Sequence, residues 1–119
     1  MKYMMMMFGD AETMMQDRDV AWVREMIGFM DTFNAELTAN GELVAAEGLA
    51  FPGTARTVTL VGDQIVVSDG PYAEAKESLA GFWILDVKDE ARLIELAGRV
   101  VKYARTVELR EVPAGPPEV

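Results

Sequence analysis

The chain has 119 residues, with 11 basic and 20 acidic side chains, a net charge of −9, and neither cysteine nor histidine. This length predicts a single domain, and the negative charge argues against a nucleic-acid or anionic-membrane partner. The missing residue types exclude disulfides, thiolate nucleophiles, Cys/His zinc sites and any histidine base. Acid–base chemistry would therefore fall to Asp, Glu, Lys or Tyr.

The chain opens with an apolar run at residues 3–8, Tyr-Met-Met-Met-Met-Phe, which ends at Gly9 and Asp10. This pattern predicts a strand buried on both faces. A row of thioethers also suits Cu(I), but methionine is an adaptable core filler and no Cys or His assists it here. The start lacks a signal-peptide pattern, and no run is long enough to span a membrane, so a cytoplasmic location is predicted.

Two helices are predicted from their caps and their apolar spacing. The first begins near Asp17 or Asp19 and ends before a C-cap at Gly41. The second is capped by Asp89 and runs to about Val101. Spacings of three and four residues give the first helix one apolar face, formed by Trp22, Met26, Phe29, Phe33 and Leu37.

The other predicted strands come from β-branched or apolar runs bounded by turn residues. Two of these runs flank Gly62 and Asp63, which is the pattern of a β-hairpin. A single domain is predicted over residues 1–112, and the proline-rich residues 113–119 are predicted to form a mobile tail. The predicted strands cover residues 43–48, 56–61, 64–69, 81–87 and 105–112.

This order of elements predicts an α+β fold, a ferredoxin-like split βαβ with a β-hairpin inserted between its second and third core strands. Right-handed crossovers place both helices on one face of the antiparallel sheet. The opposite face then needs a cover, because residues 3–8 and 82–87 are apolar at odd and even positions alike. A second copy of the sheet would supply that cover, so we predict a face-to-face homodimer.

Residues 68–82 concentrate the polar side chains that could carry chemistry. We predict a small-molecule pocket here, with Asp69 as base or ligand anchor and Tyr72 as proton or hydrogen-bond donor. Lys76 would hold an anionic group of the ligand, and Glu47 or Arg56 would line the same cleft. In the alternative interpretation, Asp69 only caps its own turn and Lys76 pairs with a neighbouring glutamate in solvent.

The motif at residues 69–82, Asp-Gly-Pro-Tyr-Ala-Glu-Ala-Lys-Glu-Ser-Leu-Ala-Gly-Phe, resembles the signature of the YCII-related proteins of the DGPF group. Those proteins usually carry Phe where this chain has Tyr72. The similarity extends to residues 1–4, 47–49 and 107–110, and it implies a dimeric α/β barrel of ferredoxin-like protomers. YCII proteins have been proposed to use a His-Asp pair, which cannot be carried over to a chain without histidine.

Two functional hypotheses remain open at this level. The first is a small-molecule-binding dimer, with carboxylate-based acid/base catalysis as an extension. The second is a non-catalytic module that binds a partner protein, and the resemblance implies an extracytoplasmic-function sigma factor, because many relatives are encoded beside one. Apolar, uncharged outward positions on the hairpin would favour the partner protein, and a closed cleft would favour the ligand. No cofactor or metal is expected, since no spaced Asp/Glu loop is present.

Overall fold

The computed structural model describes residues 1–9, 18–72 and 78–117. Mixed helices and antiparallel strands confirm the predicted α+β class. A short 3₁₀ turn at Pro52–Thr54 precedes the hairpin. In chain order the elements are β1 (Lys2–Phe8), α1 (Val20–Ala39), β2 (Leu43–Gly48), β3 (Arg56–Val61), β4 (Gln64–Asp69), β5 (Leu79–Asp86), α2 (Glu90–Ala104) and β6 (Val107–Glu111).

The main sheet has the strand order β2-β5-β1-β6, and every neighbouring pair is antiparallel. Strand β5 lies between β1 and β2, which are joined by α1, so the predicted split βαβ arrangement is confirmed. Strands β3 and β4 form a separate two-stranded sheet, inserted in the chain between β2 and β5. The predicted hairpin is therefore confirmed as well.

Local signals define both helix starts. The Asp19 carboxylate accepts a hydrogen bond from the Trp22 backbone N–H at 2.7 Å, and the Asp89 carboxylate accepts one from the Arg92 N–H at 2.9 Å. Helix α2 continues three residues beyond the predicted end, to Ala104, which shortens β6 at its start. Asp17, the other predicted cap, lies outside the described residues.

The core lies between the helices and one face of the sheet. Met5, Trp83 and Leu85 point to this face, while the alternate residues of β1 and β5 are only half-buried. The prediction that β1 is buried on both faces is therefore wrong for the single chain, because both helices pack on the same side. The buried apolar residues of this core are Met5, Phe33, Leu37, Trp83, Leu85, Val87, Leu93, Leu96, Ala97 and Val100.

The face of the sheet away from the helices carries directly paired apolar residues. Met4 lies opposite Ile84, and Met6 lies opposite Phe82. We call these four half-buried residues the open sheet face. In the part of the chain that the structure describes, no helix is long and apolar enough to cross a membrane.

Candidate functional site

A cavity of about 260 Å³ lies between α1 and the sheet, where β1 and β2 end and β5 begins. Its walls are mostly apolar and include two methionines of α1. Ligand pockets are typically lined in this way, with a few polar groups that set orientation. The lining residues are Met7, Phe8, Met26, Met30, Asn34, Ala46, Glu47, Gly48, Ala80, Phe82, Trp83, Tyr103 and Ala104.

Two glycines are paired beside this cavity, and the first of them lines it. Gly48 of β2 lies directly opposite Gly81 of β5, so neither strand projects a side chain toward α1 at this point. A Cβ on Gly81 would lie 3.0 Å from the backbone oxygen of Glu47 and 3.0 Å from Met7 Cε. A Cβ on Gly48 would meet nothing within 4 Å. Gly81 therefore permits close strand packing, whereas Gly48 leaves free volume.

A fixed amide contributes the main polar group of the cavity wall. The buried Trp83 indole donates a hydrogen bond from Nε1 to Asn34 Oδ1 at 2.7 Å, and the Phe33 ring packs edge-on against the indole at 5.7 Å. Because the amide oxygen must face the indole N–H, the amide NH₂ of Asn34 points elsewhere. That NH₂ group donates to none of the residues that the structure describes, so it is available to a ligand.

Tyr103 forms the wall of the cavity on the α2 side. Its ring lies 4.9 Å from that of Phe29 and 5.9 Å from that of Trp22, and its hydroxyl donates to Glu25 at 3.2 Å. Desolvation, and then the hydrogen bond to the Glu25 carboxylate, raise the pKa of Tyr103 above its usual value. The phenol therefore stays protonated at neutral pH, and its hydrogen already has an acceptor.

Of the four sequence-predicted site residues that the structure describes, Glu47 alone lines this cavity. It stands between Ala46 and Gly48 in β2 and lies opposite Phe82. Because strand side chains alternate, its carboxylate is directed toward the face of the sheet away from the helices, and the residue is exposed. Glu47 thus contributes to the cavity edge mainly through its backbone.

Asp69 and Arg56 meet at the base of the hairpin. They are directly opposed in the β3–β4 register and form an ion pair, with side chains that are 85% and 67% exposed. The predicted turn follows, with Gly70 at a φ of 99° and its N–H donating to the Ala55 carbonyl oxygen at 2.8 Å. The Thr57 hydroxyl closes the turn by donating to the Gly70 carbonyl oxygen at 2.8 Å.

An open groove of about 670 Å³ runs beside this turn, and Arg56 and Tyr72 both line it. Tyr72 is 96% exposed. Lys76 lies outside the described residues. The groove adjoins the cavity, because Leu49 and Leu79 line the groove while their neighbours Gly48 and Ala80 line the cavity. The structure thus brings Arg56, Asp69 and Tyr72 to one end of the hairpin and places Glu47 at the neighbouring cavity.

Sequence reasoning missed the residues that define the cavity: Gly48, Gly81, Asn34 and Trp83. The glycines carried the only usable signal, since glycine near the end of a strand often marks a close backbone approach. Nothing in the local pattern connected Asn34 with Trp83, which is 49 positions further along the chain.

The strand order and the cavity define a ferredoxin-like α+β protein with a partly enclosed, apolar site beneath its first helix. The family model for the YCII-related domain matches residues 1–113, and the chain belongs to that family. No curated protein matches the sequence.

Proposed function

We propose that this protein binds a small, mostly apolar molecule in the cavity between α1 and the sheet. The observation that carries the proposal is the hydrogen bond from Trp83 to Asn34, which fixes an amide donor in a mostly apolar wall. The volume, about 260 Å³, lies just below the ~300–1,000 Å³ typical of ligand pockets. A compact ligand is therefore expected.

The lining also indicates the chemistry of that ligand. Among the residues that the structure describes, the lining holds no lysine or arginine, so an anionic group there would lose its hydration without gaining a cation. The Asn34 NH₂ needs a hydrogen-bond acceptor, and the aromatic and thioether side chains suit a flat apolar body. A neutral carbonyl compound meets both requirements better than a carboxylate or an amine does.

The same geometry favours binding over catalysis inside the cavity. In the described part of the chain, two residues with ionisable side chains line it, Glu47 and Tyr103. The Tyr103 hydroxyl is engaged by Glu25, and Glu47 is directed toward the other face of the sheet. Carboxylate-based acid/base catalysis therefore stays a prediction, as does the cytoplasmic location.

Filling the cavity from its floor is expected to abolish binding. In Gly48→Val the added side chain enters free volume, because a Cβ there meets nothing within 4 Å, and valine also suits a strand. Acetophenone, benzoate and benzylamine serve as matched probes, because they carry a ketone, a carboxylate and an amine on the same kind of ring. Their binding is measured by the NMR shift of the Trp83 indole N–H. We expect the wild type to bind acetophenone most tightly and Gly48→Val to bind it at least about tenfold more weakly.

Two further variants make that experiment specific. Asn34→Asp keeps an oxygen acceptor for the Trp83 indole but removes the NH₂ donor, so it should also lose preference for the ketone. Gly98→Ala, at an exposed position of α2, is the matched control and should bind as the wild type does. Unchanged acetophenone binding in Gly48→Val would show that the cavity is not the site.

A second candidate site is the groove at the hairpin base, supported by the position of Arg56 and Tyr72 on its wall. Asp69→Asn keeps the shape of the turn but removes the charge that pairs with Arg56. Exposed ion pairs contribute about 0–1 kcal/mol, so little change in unfolding temperature is expected without ligand. In a thermal-shift screen of small metabolites, a compound that stabilises the wild type but not Asp69→Asn would place Asp69 in a binding site.

The matched control is Asp63→Asn, which removes an exposed charge from the far end of the hairpin. It should respond to every compound as the wild type does. If Asp69→Asn instead melts several degrees lower and no compound distinguishes it, Asp69 stabilises the turn and the groove is not a carboxylate-dependent site.

The protein is further proposed to act as a homodimer joined through the open sheet face. Met4, Met6, Phe82 and Ile84 leave an apolar surface only half-buried, since both helices pack on the opposite side. A second sheet packed on it would give the dimeric α/β barrel predicted from the sequence. The hairpin also exposes apolar, uncharged residues, which is the pattern expected of a surface that binds a partner protein. Binding of a partner such as a sigma factor therefore stays a prediction.

A further inference from the structure

The connection between α2 and β6 is short and lies beside the cavity. Tyr103 and Ala104, the last two residues of α2, line the cavity wall. Val107, the first residue of β6, pairs with Met7, which lines the same cavity. Residues 105–106 alone join the helix to the strand, so the chain must change direction within two residues next to the site.

Arg105 adopts a strained backbone conformation in this connection. Its φ is 66° and its ψ is −48°, and the Thr106 N–H donates a hydrogen bond to the Ala104 carbonyl oxygen at 2.8 Å. These angles and this hydrogen bond define a γ-turn with positive φ, which is a rare and strained turn. A residue with a Cβ is strained in such a conformation, whereas glycine is not.

The residue type at this turn sets it apart from the other turns of the chain. At the four other positive-φ positions that the structure describes the residue is glycine, including Gly41 just after α1. Glycine is also the residue that most often follows the end of a helix in this conformation. The strained exception is the turn that follows two residues of the cavity wall. Strain of this kind is often stored at sites that move during function.

Contacts with α1 hold the strained end of α2 in place. The Tyr103 ring packs on the rings of Phe29 and Trp22, and its hydroxyl donates to Glu25 at 3.2 Å. All three partners belong to α1, so Tyr103 links the two helices across the cavity wall. The hydrogen bond to Glu25 is exposed, so water competes for both groups and the link can break.

We infer that the last turn of α2 is a gate of the cavity, with Arg105 as its hinge and Tyr103 as its latch. This inference deepens the function proposed above and rests on it for the ligand. When Tyr103 leaves α1, the end of α2 can unwind, which uncovers the cavity and lets Arg105 reach an unstrained conformation. The strain therefore favours the open state, and the Tyr103 contacts favour the closed state, as a two-state gate requires.

Exchange of the Trp83 indole proton with solvent measures this opening without any ligand. The indole N–H is buried in the cavity wall and bonded to Asn34, so its exchange requires an opening of that wall. Arg105→Gly removes the strain from the closed state and should slow the exchange at least about fivefold. Arg105→Ala is the matched control, because it removes the same side chain but keeps the strain. It should change the rate less than about twofold.

Tyr103→Phe should act in the opposite direction. It keeps the ring but removes the hydrogen bond to Glu25, so the indole exchange should become at least about threefold faster. The backbone N–H of Leu85, a fully buried residue of β5, provides the reference for global unfolding. A Trp83 indole proton as strongly protected as the Leu85 N–H would overturn the inference, since no local opening would then reach the cavity. Equal indole exchange rates in Arg105→Gly and Arg105→Ala would also overturn it.

The kinetics of acetophenone binding separate the gate from the proposed function. A gate limits entry and exit alike, so Arg105→Gly should lower the association and dissociation rate constants by the same factor, at least about fivefold, and leave Kd within about twofold. Rate constants unchanged from the wild type would contradict the gate while leaving the binding site intact. If the wild type does not bind acetophenone, the proposed ligand class is wrong, and the indole exchange rates still decide whether the gate exists.

Discussion

Replacing Arg92 with alanine is expected to lower the free energy of unfolding by about 2–3 kcal/mol at neutral pH. The guanidinium binds both carboxylate oxygens of Glu42, with Nε at 2.9 Å and Nη2 at 2.8 Å. The two side chains are only 16% and 13% exposed. Without Arg92, the Glu42 carboxylate would stay largely removed from water and lose its strongest donors.

The effect should depend on pH. The hydrogen bond from Arg92, opposed by desolvation and assisted by its charge, lowers the pKa of Glu42 in the folded protein. A carboxyl group whose pKa is lower in the folded protein stabilises the fold at pH values above its pKa in the unfolded chain, about 4.3. This stabilisation is lost as the pH falls through the pKa of the folded protein. The difference between wild type and Arg92→Ala should therefore be large at neutral pH and shrink in acid.

Urea unfolding of both proteins at neutral and acidic pH measures this difference. Glu42→Gln should show a smaller loss at neutral pH and a flatter pH response, because its amide oxygen still accepts from Arg92. Arg24→Ala, at an exposed position of α1, is the control and should change stability by less than about 0.5 kcal/mol. A loss for Arg92→Ala that is the same at both pH values would show that the Glu42 carboxylate is not its cause.

Local patterns were sufficient to predict the elements and their order. Gly62 and Asp63 between two β-branched runs predicted the hairpin, and Asp89 before an apolar period predicted the start of α2. These signals act within a few residues, so each can be recognised from the sequence alone. The strand order then followed from the connection rules for split βαβ units.

The cavity could not be predicted in this way, because it depends on pairs that are distant in the chain. Asn34 meets Trp83 across 49 positions, and Gly48 meets Gly81 only through the register of β2 and β5. The hairpin illustrates a related limit. β-Branched runs predict strands whether those strands are buried or exposed. The sequence therefore does not indicate that nearly all residues of the hairpin are exposed, as they are in the structure.

The polar motif predicts a site at the Asp-Gly-Pro turn, and the geometry of this turn explains why the motif alone is not decisive. Asp69 is already paired with Arg56, and both are exposed. The neighbouring cavity is lined mainly by residues that sequence patterns assign to a core. A ligand site made of glycines, methionines and one amide has no sequence signature distinct from packing.

Gly81→Ala is expected to destabilise the protein by about 1–3 kcal/mol. The new Cβ would lie 3.0 Å from the Glu47 backbone oxygen, which belongs to the neighbouring strand and cannot rotate away. Met7 Cε, at the same distance, is the end of a flexible side chain and can move. Strands β2 and β5 must therefore separate locally, which disturbs the sheet next to Trp83.

The matched control is Gly48→Ala, the same substitution on the directly opposed residue. Its Cβ meets nothing within 4 Å, so it should be neutral or stabilising by up to about 1 kcal/mol, since alanine loses less backbone entropy than glycine. Urea unfolding gives both values, and the Trp83 indole resonance reports whether its bond to Asn34 survives. Equal free energies of unfolding for the two variants would mean that β2 and β5 can separate locally without destabilising the protein. The packing at Gly48 and Gly81 would then be adaptable.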